Sequence, residues 1–112
     1  MSSIDSSIYA KKVSISELAN NYKKYHGQYI ETTGKYFNAF EDFAVHTGKN
    51  LFSNESRGFW LDLNPDLNIN DTSLEKMDGK QVRVKGVIDT TRKGHLNSYL
   101  ATIRNIYYWE EE

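Results

Sequence analysis

The chain has 112 residues, a formal net charge of −1 and no cysteine. That length holds one domain, since a second hydrophobic core would not fit, and the missing thiols exclude disulfides, thiolate nucleophiles and cysteine-ligated metals. Near-neutral charge gives no overall attraction to nucleic acid or to an acidic membrane.

Eight Tyr, five Phe and two Trp against a single Pro favour strands, because aromatic side chains suit a pleated, half-buried surface. No stretch approaches the roughly 20 apolar residues of a membrane span. The first residues lack the basic and apolar regions of a signal peptide. With the absent cysteines, these features predict a cytoplasmic protein with no membrane partner. The charge is uneven along the chain. Residues 76–104 carry seven bases against two acids, residues 53–75 carry five acids against Arg57 alone, and Glu110, Glu111 and Glu112 follow as an acidic tail.

Residues 1–12 are polar and read as a flexible arm ahead of a single domain spanning 13–109. Ser14-Ile-Ser-Glu17 has the Ser-x-x-Glu spacing of a capping box. Ile15, Leu18, Tyr22 and Tyr25 then fall on one helical stripe, which predicts a helix over 15–25 stopped by Gly27. A first strand is expected over 28–37, with Ile30, Thr32 and Tyr36 on one face and Tyr29, Glu31, Thr33 and Lys35 on the other. A second runs over 40–47. After a polar loop, Phe59-Trp-Leu-Asp-Leu63 alternates as a third strand, ended by Pro65. Asp71-Thr-Ser73 offers helix-capping chemistry for one short helical turn before Gly79. The fourth strand covers 80–89, with Val82, Val84 and Ile88 inward and Arg83, Lys85 and Val87 outward. The fifth covers about 98–108.

Two segments echo each other: Lys24-Tyr-His-Gly-Gln-Tyr-Ile-Glu-Thr-Thr-Gly34 and Lys76-Met-Asp-Gly-Lys-Gln-Val-Arg-Val-Lys-Gly86. Both place a helix end, a glycine, a strand and a second glycine in the same order. A glycine within a strand marks a bulge or a tight bend, so both strands are expected to turn corners. Five strands with a helix between the third and fourth predict a mainly β fold, a five-stranded OB-like Greek-key barrel.

Five runs carry a family likeness: Tyr25-His-Gly-Gln-Tyr-Ile-Glu-Thr-Thr-Gly34, Phe40-Glu-Asp-Phe-Ala-Val45, Phe59-Trp-Leu-Asp-Leu63, Asp78-Gly-Lys-Gln-Val-Arg-Val-Lys-Gly86 and Lys93-Gly-His-Leu96. Together they resemble a group of small, poorly characterised bacterial OB-fold proteins, over about residues 13–108. The resemblance implies a bacterial barrel with a short helix before its first strand, and it brings no catalytic residues with it.

Chemistry-bearing residues are sparse. His26, His46 and His95 share no metal-ligand spacing and read as surface or turn histidines, though Gly94-His95 tips a loop, where function tends to sit. Glu41 and Asp42 are adjacent on a strand and face opposite ways, which excludes an acid–base pair. Glu41 and Asp62 remain conceivable cross-strand neighbours. No phosphate-binding loop is present, and no cofactor is expected. OB barrels bind ligands on the face of strands 2 and 3, where Trp60 alternates away from Phe59 and Leu61. Tyr29, Phe43 or Phe40, Arg83, Lys85, Arg92 and His95 complete the candidate ligand-binding set.

The expected function is a non-enzymatic binding module. A protein or peptide partner is favoured, in one version an inhibitor or immunity-type role that turns the acidic side to a basic partner. Single-stranded nucleic acid, held by ring stacking and by Arg83 and Lys85, is the alternative. A phosphoester hydrolase comes third.

Overall fold

The computed structural model describes residues 2–4, 7–39, 42–47 and 57–112. The expected second strand began at Phe40, and Phe40 and Glu41 lie outside these residues.

Among the described residues, seven strands and two short α-helices are formed: β1 (Ser2–Ser3), β2 (Lys11–Lys12), α1 (Ile15–Asn20), β3 (Tyr29–Ala39), β4 (Asp42–His46), β5 (Gly58–Leu63), α2 (Asp71–Lys76), β6 (Gln81–Asp89) and β7 (Ala101–Glu111). All seven strands belong to one sheet. Five of them close a ring in the order β3, β4, β5, β7, β6 and back to β3. Every contact in the ring is antiparallel except β5 with β7, which run parallel. The core fills the ring: Ile30, Tyr36, Val45, Phe59, Val82, Val84, Ile103 and Trp109 are all buried. Tyr36 and Trp109 meet edge to face at 4.9 Å, an arrangement that adds to simple burial. Trp109 Nε1 donates to Met77 Sδ at 3.3 Å. Among the described residues no helix is long and apolar enough to cross a membrane.

The helix before β3 is shorter than the stripe of apolar residues predicts. Ser14 caps it as expected, its Oγ accepting from the Glu17 amide at 3.1 Å. The Glu17 carboxylate, however, accepts from Asn21 Nδ2 at 2.6 Å. The backbone leaves helical geometry at Asn21 (φ −135°, ψ 33°), and a separate 3-10 turn takes residues Tyr22–Tyr25. Asn20-Asn21 is the cause: short amides bond locally and compete with the helical ladder. At α2 the cap is Asn70, whose side chain accepts from the Ser73 amide at 2.8 Å, one residue ahead of the expected Asp71.

The echoed segments turn out to pair with each other. In the β3/β6 ladder Ile30 lies opposite Gly86, Thr32 opposite Val84 and Gly34 opposite Val82, so the two copies are related by a local two-fold. The same symmetry governs the preceding glycines. Gly27 (φ +78°) and Gly79 (φ +83°) take the left-handed conformation glycine permits. Gly27 N donates to Ile88 O at 2.8 Å and Gly79 N to Tyr36 O at 2.7 Å. Gly86 sits at a register shift against β7, where Lys85 faces Tyr108 but Val87 faces Arg104. The extra residues belong to β7, with Asn105 at φ +52°. A Cβ at Gly86 would lie 2.8 Å from Arg104 O, so the glycine is needed for close backbone approach.

Three expectations change on the outside of the ring. Val87 keeps its expected outward direction, opposite Tyr29 on β3, yet is buried, in the part of the outer surface where the Tyr29 and Tyr107 rings meet at 5.8 Å. The N-terminal residues do not simply trail free, because β1 pairs with β7 and β2 runs parallel to β3. Glu110 and Glu111 are ladder partners of Arg83 and Val82 within β7, so the acidic end of the chain is strand rather than tail.

Candidate functional site

The outer surface of β3, β4 and β5 gathers rings. One row of the ladder runs Phe37, Ala44, Trp60, Thr102 across four strands. The next contains His46, opposite Lys35 and Gly58. Gly58 makes room for the imidazole, since a Cβ there would fall 2.5 Å from His46 Nδ1. His46 is therefore only 6% exposed, which corrects its reading as a surface or turn histidine.

The connection between β6 and β7 folds over this surface. Its Tyr99 ring lies 5.2 Å from that of Trp60 and 6.1 Å from His46, and its hydroxyl donates to Asp42 Oδ1 at 2.7 Å. The same carboxylate oxygen lies 3.2 Å from His46 Nε2. Burial, reinforced by Asp42, holds the Tyr99 phenol well above the usual tyrosine range. Phe37 meets His46 edge to face at 5.0 Å, and Phe43 approaches Trp60 at 6.5 Å. Gly94, at φ +68°, lies directly on Trp60: a Cβ there would come within 2.7 Å of Trp60 Cβ.

The connection is fastened at several points. Arg92 Nη1 donates to Asp62 Oδ2 at 2.9 Å, Thr102 Oγ1 to Arg92 O at 2.8 Å and Tyr99 N to Lys93 O at 3.0 Å. Its tip strains outward. Leu96 and Asn97 both have positive φ, and Leu96 is 80% exposed.

Two clefts border the aromatic surface. One, of about 430 Å³, lies between Trp60, Thr102 and the connection, with Arg92, Lys93 and His95 on its wall. The other, of about 470 Å³, has Phe43, Leu61, Leu63 and Leu74 as apolar lining and Asp62, Asp71 and Glu75 as acidic lining. The Asp62–Arg92 ion pair joins the two.

Of the candidate residues, Trp60, Phe43, Arg92 and His95 come together here. Phe43 points inward, against Tyr36 at 5.7 Å, and lines the acidic cleft. Tyr29, Arg83 and Lys85 do not join them. Tyr29 packs on Tyr107 at 5.8 Å, and its hydroxyl accepts from Asn105 Nδ2 at 2.8 Å. Arg83 and Lys85 lie on β6, separated from β5 by β7 on one side of the ring and by β3 and β4 on the other. Arg83 is tied to Glu110 at 2.7 Å and Glu112 at 3.1 Å, and Lys85 to Glu31 at 3.6 Å. Lys85 also covers the Tyr108 ring at 4.4 Å. Tyr108 OH donates to Glu110, and this bond and Arg83 hold the Glu110 carboxyl below its usual range.

Phe37, Asp42, His46 and Tyr99 were not anticipated as site residues. Gly58 and Gly94, each pressed on a ring, carried the only sequence signal. Among the described residues no three His, Asp or Glu side chains converge as a metal site requires. No family model matches the chain, and no curated protein matches it.

Proposed function

We propose that the ring is an OB-type barrel and that the protein is a non-enzymatic binding module for a protein or peptide, gripped by the outer face of β4 and β5 and its two clefts. The strand order supports the fold reading. Numbering only the ring strands, the order is 1-2-3-5-4-1 with the third and fifth parallel and a helix between the third and fourth, as in the Greek-key OB plan.

The observation that carries the functional reading is the pairing of the cations. Arg92, on the aromatic face, is committed to Asp62, and Arg83 and Lys85 are committed to carboxylates elsewhere on the ring. A phosphate backbone would meet Asp42, Asp62, Asp71 and Glu75 at this face, which disfavours a polyanion. Clustered aromatic rings with a charged rim are instead the composition of protein-interface centres. The acidic cleft suits a partner with basic side chains around an apolar anchor, in keeping with an inhibitor or immunity-type role.

Labelling with 5-fluorotryptophan gives two resonances, one from Trp60 and one from the buried Trp109. Titration with a thymidine oligonucleotide at about 50 mM salt is expected to leave the Trp60 resonance in place. A shift of Trp60 at micromolar oligonucleotide would transfer this face to nucleic acid.

A further inference from the structure

The geometry points to a second contact surface away from Trp60, and we propose that Lys11, Lys12, Lys23 and Lys24, with Tyr9, bind the sugar-phosphate backbone of single-stranded nucleic acid. The fold assembles these residues from two segments. β2 holds Lys11 and Lys12 beside β3, and the 3-10 turn carries Lys23 and Lys24 just ahead of the same strand. The Tyr25 ring lies between the two segments. Lys11 Nζ is 5.7 Å from its centroid and Lys24 Nζ 5.5 Å, so ammonium groups from both segments converge on one ring.

These four lysines differ from the paired cations on and around β6 and β7. Arg83, Lys85, Arg92 and Arg104 each have a carboxylate within 4.0 Å, as does Lys80 just before β6. Among the described residues, none of Lys11, Lys12, Lys23 and Lys24 has one, and all four are exposed. An uncompensated cluster of like charge costs self-repulsion that an anionic ligand relieves.

The neighbouring exposed group selects the ligand. Tyr9 is 84% exposed beside Lys11, a ring free to stack on a base while the lysines meet phosphates. A duplex keeps its base faces stacked inside, and a bilayer would call for exposed aliphatic side chains beside the lysines. A single strand matches both features.

The test is fluorescence anisotropy of a labelled 15-nucleotide oligothymidine against the full chain, over about 50–200 mM salt. Four phosphate contacts on a single strand give a slope of log K against log salt near −2.8, or roughly a 50-fold loss over that range. Replacing the four lysines by glutamine, which keeps exposed polar stems, is expected to abolish binding, and Tyr9→Ala to weaken it roughly five-fold or more. The pair Lys76→Gln and Lys80→Gln removes charge elsewhere and is expected to leave binding within two-fold, with Trp60 unperturbed throughout. The proposal is overturned by absence of binding at 50 mM salt, by an equal loss in the control pair, or by equal affinity for polyglutamate of matched charge. Binding to vesicles containing phosphatidylserine without binding to the oligonucleotide would assign the surface to a membrane instead.

Discussion

Gly94→Ala tests the link between the β6–β7 connection and the aromatic surface. The glycine has φ +68° and ψ −156°, a region that side-chain-bearing residues enter at about 1–3 kcal/mol. Its new Cβ would also fall 2.7 Å from Trp60 Cβ and 2.8 Å from Cγ and Cδ2. Those atoms form the root of the indole, and Cβ is fixed to the β5 backbone, so no rotation of the ring clears them. The connection must lift. Lifting it forfeits the Trp60–Tyr99 edge contact, about 0.5–1.5 kcal/mol, and the Tyr99–Asp42 hydrogen bond, about 1.5–3 kcal/mol for a charged acceptor. Those two losses together come to about 2–4.5 kcal/mol, which urea unfolding should read. Fluorotryptophan spectra should show the Trp60 resonance move and the Trp109 resonance stay. Gly79→Ala is the contrast: it has φ +83° but open space around its Cβ, so it should cost backbone strain alone and leave Trp60 unchanged. Unaltered stability together with an unmoved Trp60 resonance in Gly94→Ala would refute the packing described.

Three further outcomes follow from the same contacts. Gly86→Ala drives a Cβ to 2.8 Å from a backbone oxygen that cannot yield, whereas the contacts at Gly34 begin at 3.3 Å; urea midpoints should show Gly86→Ala losing about 1–3 kcal/mol and Gly34→Ala less, and a reversed order would contradict the register shift. Asn105→Ala puts a side chain that disfavours positive φ at +52° and deletes hydrogen bonds to Asn64 and Tyr29; it should cost about 2 kcal/mol or more, against a smaller loss for Asn105→Gly, and equal losses would show that backbone conformation is not at issue. The Tyr99 phenol is held above its usual range in the folded state, so the native chain keeps a proton that the unfolded chain releases near pH 10. Its stabilising contribution is whole below that pH and falls as pH rises above it. Tyr99→Phe should therefore reduce the alkaline slope of stability, leaving the share of Tyr36, which burial also raises; an unchanged slope would contradict the buried hydroxyl.

The ring strands were largely legible because their alternation and doubled glycines are local signals. Ile30, Thr32, Tyr36, Val82, Val84 and Ile88 all point inward as the period of two requires. Val87 keeps its outward direction, and its burial in the region where Tyr29 meets Tyr107 depends on a ring from β7, far along the chain, that alternation does not show. The helix was drawn too long because a stripe of apolar residues carries no mark of two asparagines competing for its backbone. At the candidate site, alternation turned Trp60 outward on β5 and Arg83 outward on β6. It could not say that these two outward directions leave the ring from different sides. Tyr99 and Asp42 meet only because a connection folds back over two strands, a contact that depends on the whole chain.

On the proposed reading the face around Trp60 receives a protein. The direct measurement is photocrosslinking from p-benzoylphenylalanine placed at Phe37, the half-buried ring at the edge of that face, in cells that express the protein. The expected result is a discrete adduct that survives nuclease, is destroyed by protease and disappears when Trp60→Ala is added. A nuclease-sensitive adduct, or a protein adduct indifferent to Trp60→Ala, would contradict it.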